Sequence, residues 1–215
     1  QFMLDTSLSD ANKYPLKLSD LIVYSCDKDT APEKMVYGIM KPVSDVPNVG
    51  LSGDKFYAPE DTVGRAKYTG SVLAIDPSGR GSDETAYAVV KMLNGFLYVV
   101  DAGGVEGGYS DTTLQHLTDL AKIHSVNMVL VESNFGDGMF TELLKPYMTK
   151  TYPCTMEEVR HNTQKESRII DTLEPVMNQH RLILDPKVIQ KDYDSVQHMP
   201  PDKGIKYMLT YQMTR

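Results

Sequence analysis

Ser71-Val72-Leu73-Ala74-Ile75-Asp76 is a short apolar run that ends on an acid and is followed at once by Pro77, Gly79 and Gly81. A run of this length bounded by chain breakers predicts a buried strand that feeds a loop. Working outward, residues 85–92 and 96–101 predict two more strands. Leu93-Asn94-Gly95 lies between them, and Asn-Gly is the strongest short hairpin signal. A glycine-rich loop covers 103–108, and Ser110 or Asp111 then caps a helix to about His124. Its Leu114, Leu117, Leu120, Ala121 and Ile123 recur at helical spacing. Residues 127–132 form a second continuous apolar run that again ends on a carboxylate, Glu132.

Downstream, the loop 133–138 leads into a helix to about residue 150, then a strand over 154–159 and a long helix over 164–180. A short strand at 182–184 and a helix starting at Pro186, a good first-turn residue, follow. The order β-β-β-α-β-α-β-α-β-α predicts an α/β fold. Its mixed central sheet is a three-stranded antiparallel meander plus parallel strands, flanked by helices. That order is the ribonuclease H-like arrangement, with the first strand central, its hairpin partners on one side and the fourth strand on the other. Residues 1–68 lack sustained periodicity and carry Pro15, Pro32, Pro42, Pro47 and Pro59. Short elements are expected at 17–26 and 36–40, and the stretch as a whole is expected to be a connector packed on a domain that occupies 69–215.

Composition narrows the classes. The chain has 215 residues, 41% hydrophobic and 24% charged, enough for one ordinary domain with a real core. Cys26 and Cys154 are the two cysteines, far apart and outside any CxxC pair, which suggests neither a zinc site nor a disulfide framework. No apolar run approaches the roughly 18 residues a bilayer requires, so no membrane partner is expected. The formal charge of −7 argues mildly against nucleic acid. For metal nucleases that argument is weak, because divalent cations occupy the acidic centre.

Asp76 and Glu132 are the residues that carry chemistry. If their strands are parallel neighbours, the two strand ends lie about 5 Å apart, at the carboxyl edge where strand order reverses and open α/β sheets place ligands. Two acids there repel unless protonated or bridged by a cation. A hard divalent ion with oxygen ligands, Mg²⁺ or Mn²⁺, is the natural bridge. A pair of such ions about 4 Å apart activates water and stabilises the leaving oxygen of a phosphodiester. Taken singly, each acid is more ordinarily a cap for the turn that follows; it is the pair on adjacent strands that favours metal.

The remaining candidates are weaker. The 78–83 loop joins flexible backbone to one guanidinium, Arg80, suited to a phosphate; Ser78 and Asp83 are accessory candidates there. Asp137 is another, although an Asp beside glycine more commonly forms a turn. The chain has no GxxxxGK[ST] motif and so no nucleotide-hydrolysing loop. Arg160, His161, Lys165 and Arg168 are the densest basic stretch. Lys165 and Arg168 share a helix face, which fits a DNA-backbone contact and a solvated surface equally well. His116, His124, His180 and His198 are read as structural or surface residues.

Several long strings resemble one family. Ala74-Ile75-Asp76-Pro77-Ser78-Gly79-Arg80-Gly81-Ser82-Asp83-Glu84-Thr85 resembles the first nuclease motif of the large terminase subunit of short-tailed bacteriophages. Val131-Glu132-Ser133-Asn134-Phe135-Gly136-Asp137-Gly138-Met139-Phe140 and Ile170-Asp171-Thr172-Leu173-Glu174-Pro175-Val176-Met177 resemble it too, as do residues 1–6 and 211–215. The resemblance implies the carboxyl-terminal nuclease domain of a packaging motor that cuts concatemeric double-stranded DNA. Residues 1–68 would join it to a preceding ATPase domain. Asp76 and Glu132 match the family's first two metal acids, and Lys165 and Arg168 match a basic pair facing DNA. The implied setting is the host cytoplasm, with the portal protein, the small terminase subunit and the procapsid as partners. The family's third metal acid lies in a His-Asp-Asp motif beyond the segment that 211–215 resembles. This chain stops before it, so the implied domain is truncated ahead of its last motif. The alternative expectation is therefore an inactive DNA-gripping or portal-docking module. A phosphotransferase of the actin-like fold would need a second nucleotide-binding half that this length cannot hold.

Overall fold

The computed structural model describes residues 14–78, 83–133, 138–161 and 164–215. Seven short strands come first: β1 (Ile22–Val23), β2 (Thr30–Ala31), β3 (Lys34–Val36), β4 (Pro42–Val43), β5 (Phe56–Tyr57), β6 (Asp61–Val63) and β7 (Ala66–Lys67). Longer ones follow: β8 (Gly70–Asp76), β9 (Thr85–Leu93), β10 (Phe96–Val105), β11 (Met128–Glu132) and β12 (Thr155–Val159), and then the short β13 (Leu182–Leu184). The helices are α1 (Asp111–Ile123), α2 (Met139–Thr151), α3 (Lys165–Asn178), α4 (Pro186–Ser195), α5 (Pro201–Gly204) and α6 (Leu209–Met213). Two compact units emerge. One comprises residues 26–33 and 65–162; the other comprises 1–25, 34–64 and 163–215, of which 14–25, 34–64 and 164–215 are described.

In the unit formed by 26–33 and 65–162, five strands run in the order β12-β11-β8-β9-β10. β8 pairs antiparallel with β9 and parallel with β11, while β9 and β10 form the hairpin. This is the predicted arrangement, with the first long strand central. The hairpin closes at Asn94 and Gly95, at φ 51° and 79°, the two positive values that a type I′ turn requires. Alternation decides which face is buried. Leu73, Ile75, Val129 and Val131 are essentially inaccessible, whereas Val72, Ala74, Asp76, Leu130 and Glu132 are partly exposed. α1 and α2 cover the first face. Leu114, Leu117, Leu120 and Ala121 of α1 and Phe140, Leu144 and Met148 of α2 join that core. α1 begins as predicted: the Ser110 side chain accepts the Thr113 amide hydrogen at 3.2 Å, which satisfies one of the open donors of the first turn.

In the other unit four short strands run in the order β13-β1-β5-β4, with Ile22 opposite Ile183 and Val23 opposite Leu184. β3 and β6 pair antiparallel beside it in sequence, so the strand expected at 36–40 is found instead at Lys34–Val36. The 17–26 stretch holds both a 3₁₀ turn at Leu18–Asp20 and β1. α4 is capped by the Asp185 carboxylate, which accepts the Lys187 amide hydrogen at 2.8 Å. Tyr37 stacks on His180 with ring centroids 3.4 Å apart.

Candidate functional site

The register of the central strands places the two acids. β8 and β11 pair Val72 with Met128, Leu73 with Val129, Ala74 with Leu130 and Ile75 with Val131. Continued by one residue, the same register sets Asp76 against Glu132. Partners in register on parallel strands share a face, so both side chains leave the sheet on the side away from α1 and α2. Adjacent strands lie about 4.8 Å apart, and the two carboxylates are each partly exposed. The sequence positions them by the same device in both cases: an apolar run fixes the pleat, and the acid takes the first position past the core.

The row continues across the sheet. Asp76 pairs with Ala86, and Ala86 pairs with Gly104. These positions share the acids' face, because in-register partners do. A Cβ built on Gly104 would meet the Glu84 carboxylate oxygen at 2.1 Å, so the Glu84 side chain lies across that glycine. Glu84 is thus a third carboxylate over the same row. It stands about 10 Å from Asp76 at two strand spacings, beyond the reach of a shared ion. Sequence reasoning passed over it; its only signal was an acid just ahead of β9 combined with glycine on the hairpin partner. Among the described residues, no cluster of three or more His, Cys, Asp or Glu side chains is arranged around one point. The geometry is that of a pair.

The accessory candidates separate. Ser78 is 7% exposed; its amide donates to Thr85 Oγ1 at 3.1 Å and the two hydroxyls are 3.1 Å apart. That contact ties the residue that leaves β8 to the first residue of β9 and so closes the neck of the loop between them. Asp83 is exposed on the β9 side of that loop. Arg80 and Asp137 lie outside the described residues. Lys165 and Arg168 sit in the first turns of α3, the former exposed and the latter partly so, in the unit that does not carry the acids.

Other polar groups have structural work. His116 packs edge-on against Tyr87, His124 faces Asp101 at 3.3 Å, and the Nδ1 atom of His180 lies 3.1 Å from the Asp20 carbonyl. Asp192 accepts hydrogens from the Leu209 amide at 2.7 Å, the Thr210 amide at 3.0 Å and the Thr210 hydroxyl at 2.9 Å. It caps α6. No helix among the described residues is long and apolar enough to cross a membrane.

A carboxylate pair at the ends of neighbouring parallel strands offers hard oxygen donors, the set that Mg²⁺ and Mn²⁺ take. Comparison with known proteins agrees with the topology. The family described as Terminase Bacteriophage T7, Ribonuclease H-like domain matches residues 75–182. The large terminase subunit of enterobacteria phage T3 is 44% identical over 218 residues, aligned with 100% of this chain and 37% of its own length, so the chain spans little more than a third of that relative. Among solved structures, the large terminase nuclease of thermophilic phage G20c is 11% identical, with a TM-score of 0.44 over 79% of this chain and 72% of its own. The nuclease domain of the large terminase subunit gp2 of bacterial virus Sf6 is 14% identical, with a TM-score of 0.44 over 57% of this chain and 66% of its own. With residues 75–182 matched and β8 lying between β9 and β10 on one side and β11 on the other, as the sequence predicted, the chain belongs to the T7-type terminase family and carries its ribonuclease H-like domain.

Proposed function

We propose that this chain is the endonuclease part of a terminase large subunit, and that it hydrolyses double-stranded DNA, cutting concatemers during packaging into a procapsid. One observation carries the reading: Asp76 and Glu132 end adjacent parallel strands, in register and on one face. Asp76 and Glu132 would hold Mg²⁺ or Mn²⁺, which when bound supplies an activated water and charge stabilisation at the scissile phosphate. The protein's own part is to fix that geometry. The paired ladders on both sides of β8 hold the Asp76 backbone, and the buried core behind it keeps the strand ends from drifting.

The Ser78–Thr85 pair keeps the loop after Asp76 returning to the sheet at a set place. Lys165 and Arg168 are proposed to contact the DNA backbone, together with Arg80; Ser78, Asp83 and Asp137 are proposed as accessory groups around the pair. No helix among the described residues looks like a base-reading helix, so contacts to phosphates would give position without sequence choice. The proposed partners of the complete protein are duplex DNA, the portal protein, the small terminase subunit and the procapsid, met in the host cytoplasm.

Plasmid cleavage in Mn²⁺ tests this. The unaltered chain should nick supercoiled DNA, and Asp76→Ala with Glu132→Ala should abolish the nicking. Undiminished nicking by the double variant would sink the proposal. A chain that binds duplex DNA but never nicks it is what a gripping module would give.

A further inference from the structure

We propose that Lys203, Lys206 and Tyr207 form a contact surface for the phosphate backbone of duplex DNA, in the unit that does not carry the acids; the inference rests on the DNA part of the reading above and adds a surface to it. α5 runs without a break into the 3₁₀ turn Ile205–Tyr207, because Gly204 and Ile205 both keep right-handed helical backbone. On such a turn, residues three and four apart are neighbours, with Cβ atoms about 5–6 Å apart. Lys203, Lys206 and Tyr207 therefore share one face, and all three are exposed. Tyr207 is 67% exposed and is the one aromatic among the described large hydrophobic residues left open to solvent.

The opposite face is pinned, so this surface is presented on fixed backbone. Gly204 is buried, and a Cβ there would meet the Val196 carbonyl oxygen at 3.0 Å. Met208 and Thr210 are each 1% exposed, and Asp192 of α4 holds the Leu209 and Thr210 amides. The Gln212 side chain donates to the Lys206 carbonyl at 2.9 Å, which ties α6 back to the turn.

Charge selects the occupant. Residues 200–215 carry Lys203, Lys206 and Arg215 against the single acid Asp202, in a chain whose formal charge is −7. Among the described residues neither lysine has a carboxylate partner, although Asp202 stands four positions before Lys206. Two like charges at this spacing slightly destabilise a helical turn, so the fold gains nothing from them. A polyanion converts that repulsion into attachment. Each ammonium brings three donors to phosphate oxygens, and the Tyr207 hydroxyl is a further donor of the kind that positions proteins on the DNA backbone.

Fluorescence anisotropy of a labelled short duplex tests the inference, with Ca²⁺ replacing Mg²⁺ or Mn²⁺ and NaCl varied. Lys203→Ala with Lys206→Ala should lower the slope of log K against log[salt] by about two, as loss of two phosphate contacts does. Lys203→Arg with Lys206→Arg should keep the slope. Tyr207→Phe should weaken binding about tenfold, as loss of a hydrogen bond to a charged group does, and leave the slope unchanged. Lys122→Ala with Lys150→Ala removes the same charge from exposed positions on α1 and α2 and should leave the slope unchanged. Thermal melts confirm that each variant folds. A slope unchanged in the Lys203→Ala, Lys206→Ala variant overturns the inference, as does an equal fall in the Lys122→Ala, Lys150→Ala control or failure of the unaltered chain to bind the duplex. Nicking in Mn²⁺ by the Asp76→Ala, Glu132→Ala variant is read separately. If it persists while the lysine slope falls, the acid-pair reading fails and the backbone contact stands; if it vanishes while the slope holds, only the contact surface fails.

Discussion

Thr85 has no exposed surface, and its hydroxyl meets both the amide and the hydroxyl of Ser78. Thr85→Val keeps the shape and removes the hydroxyl, leaving two buried polar groups of Ser78 without that partner. Such losses cost about 1–3 kcal/mol, which urea melts would show. Thr85→Ser should cost less, since it keeps the hydroxyl. The loop closed by this contact follows Asp76, so nicking by Thr85→Val should fall even at temperatures where the variant stays folded. At this scale the sequence was partly legible. Asp76 and Glu132 stood out because each ends an apolar run, a one-dimensional signal. Glu84 did not, because what places it is a glycine on a strand that only the folded hairpin brings beside it. Ser78 is a candidate by its place in the 78–83 loop, yet its near-complete burial and its tie to Thr85 are invisible without the fold.

Single elements show where local rules suffice. α1 has a capping serine, apolar residues at helical spacing and a buried stripe in which Leu117 is 0% exposed and Leu114 2%. Each of those features was written in the sequence. Leu117→Ala should cost about 2–5 kcal/mol, as large-to-small changes in close-packed cores do, and Ser110→Ala about 1 kcal/mol; a cost for Leu117→Ala below that of Ser110→Ala would contradict the packing described. The turn into β2 offers a pH test. The Asp29 amide, then the amide and hydroxyl of Thr30, bond to the Asp27 carboxylate and hold its pKa below the usual value. A depressed carboxylate stabilises the fold above its unfolded pKa, near 4, and that contribution is lost as pH falls through the lower folded value. Asp27→Asn should therefore flatten the fall of stability below about pH 4 and leave its slope near neutrality unchanged. The short strands before β8 were not legible in this way. With two residues each, β1, β2, β4 and β5 are too brief for any period to show. Long-range pairing sets them, as between Ile22 and Ile183.

For the molecule as a whole, the order of the long strands was legible because each carries its own core signal and the turns between them carry theirs. The division into two units was not, since residues 14–25 and 34–64 group with 164–215 rather than with their chain neighbours. The account of the whole rests on Asp76 and Glu132 acting as a single donor pair for a divalent ion. Calorimetric titration of Mn²⁺ into the unaltered chain and into the Asp76→Ala, Glu132→Ala variant, with duplex DNA present in both, reads this without requiring cleavage. The account predicts a saturable heat for the unaltered chain that disappears in the double variant while its melting profile stays cooperative. Equal Mn²⁺ binding by both proteins, or none by the unaltered chain, would contradict it.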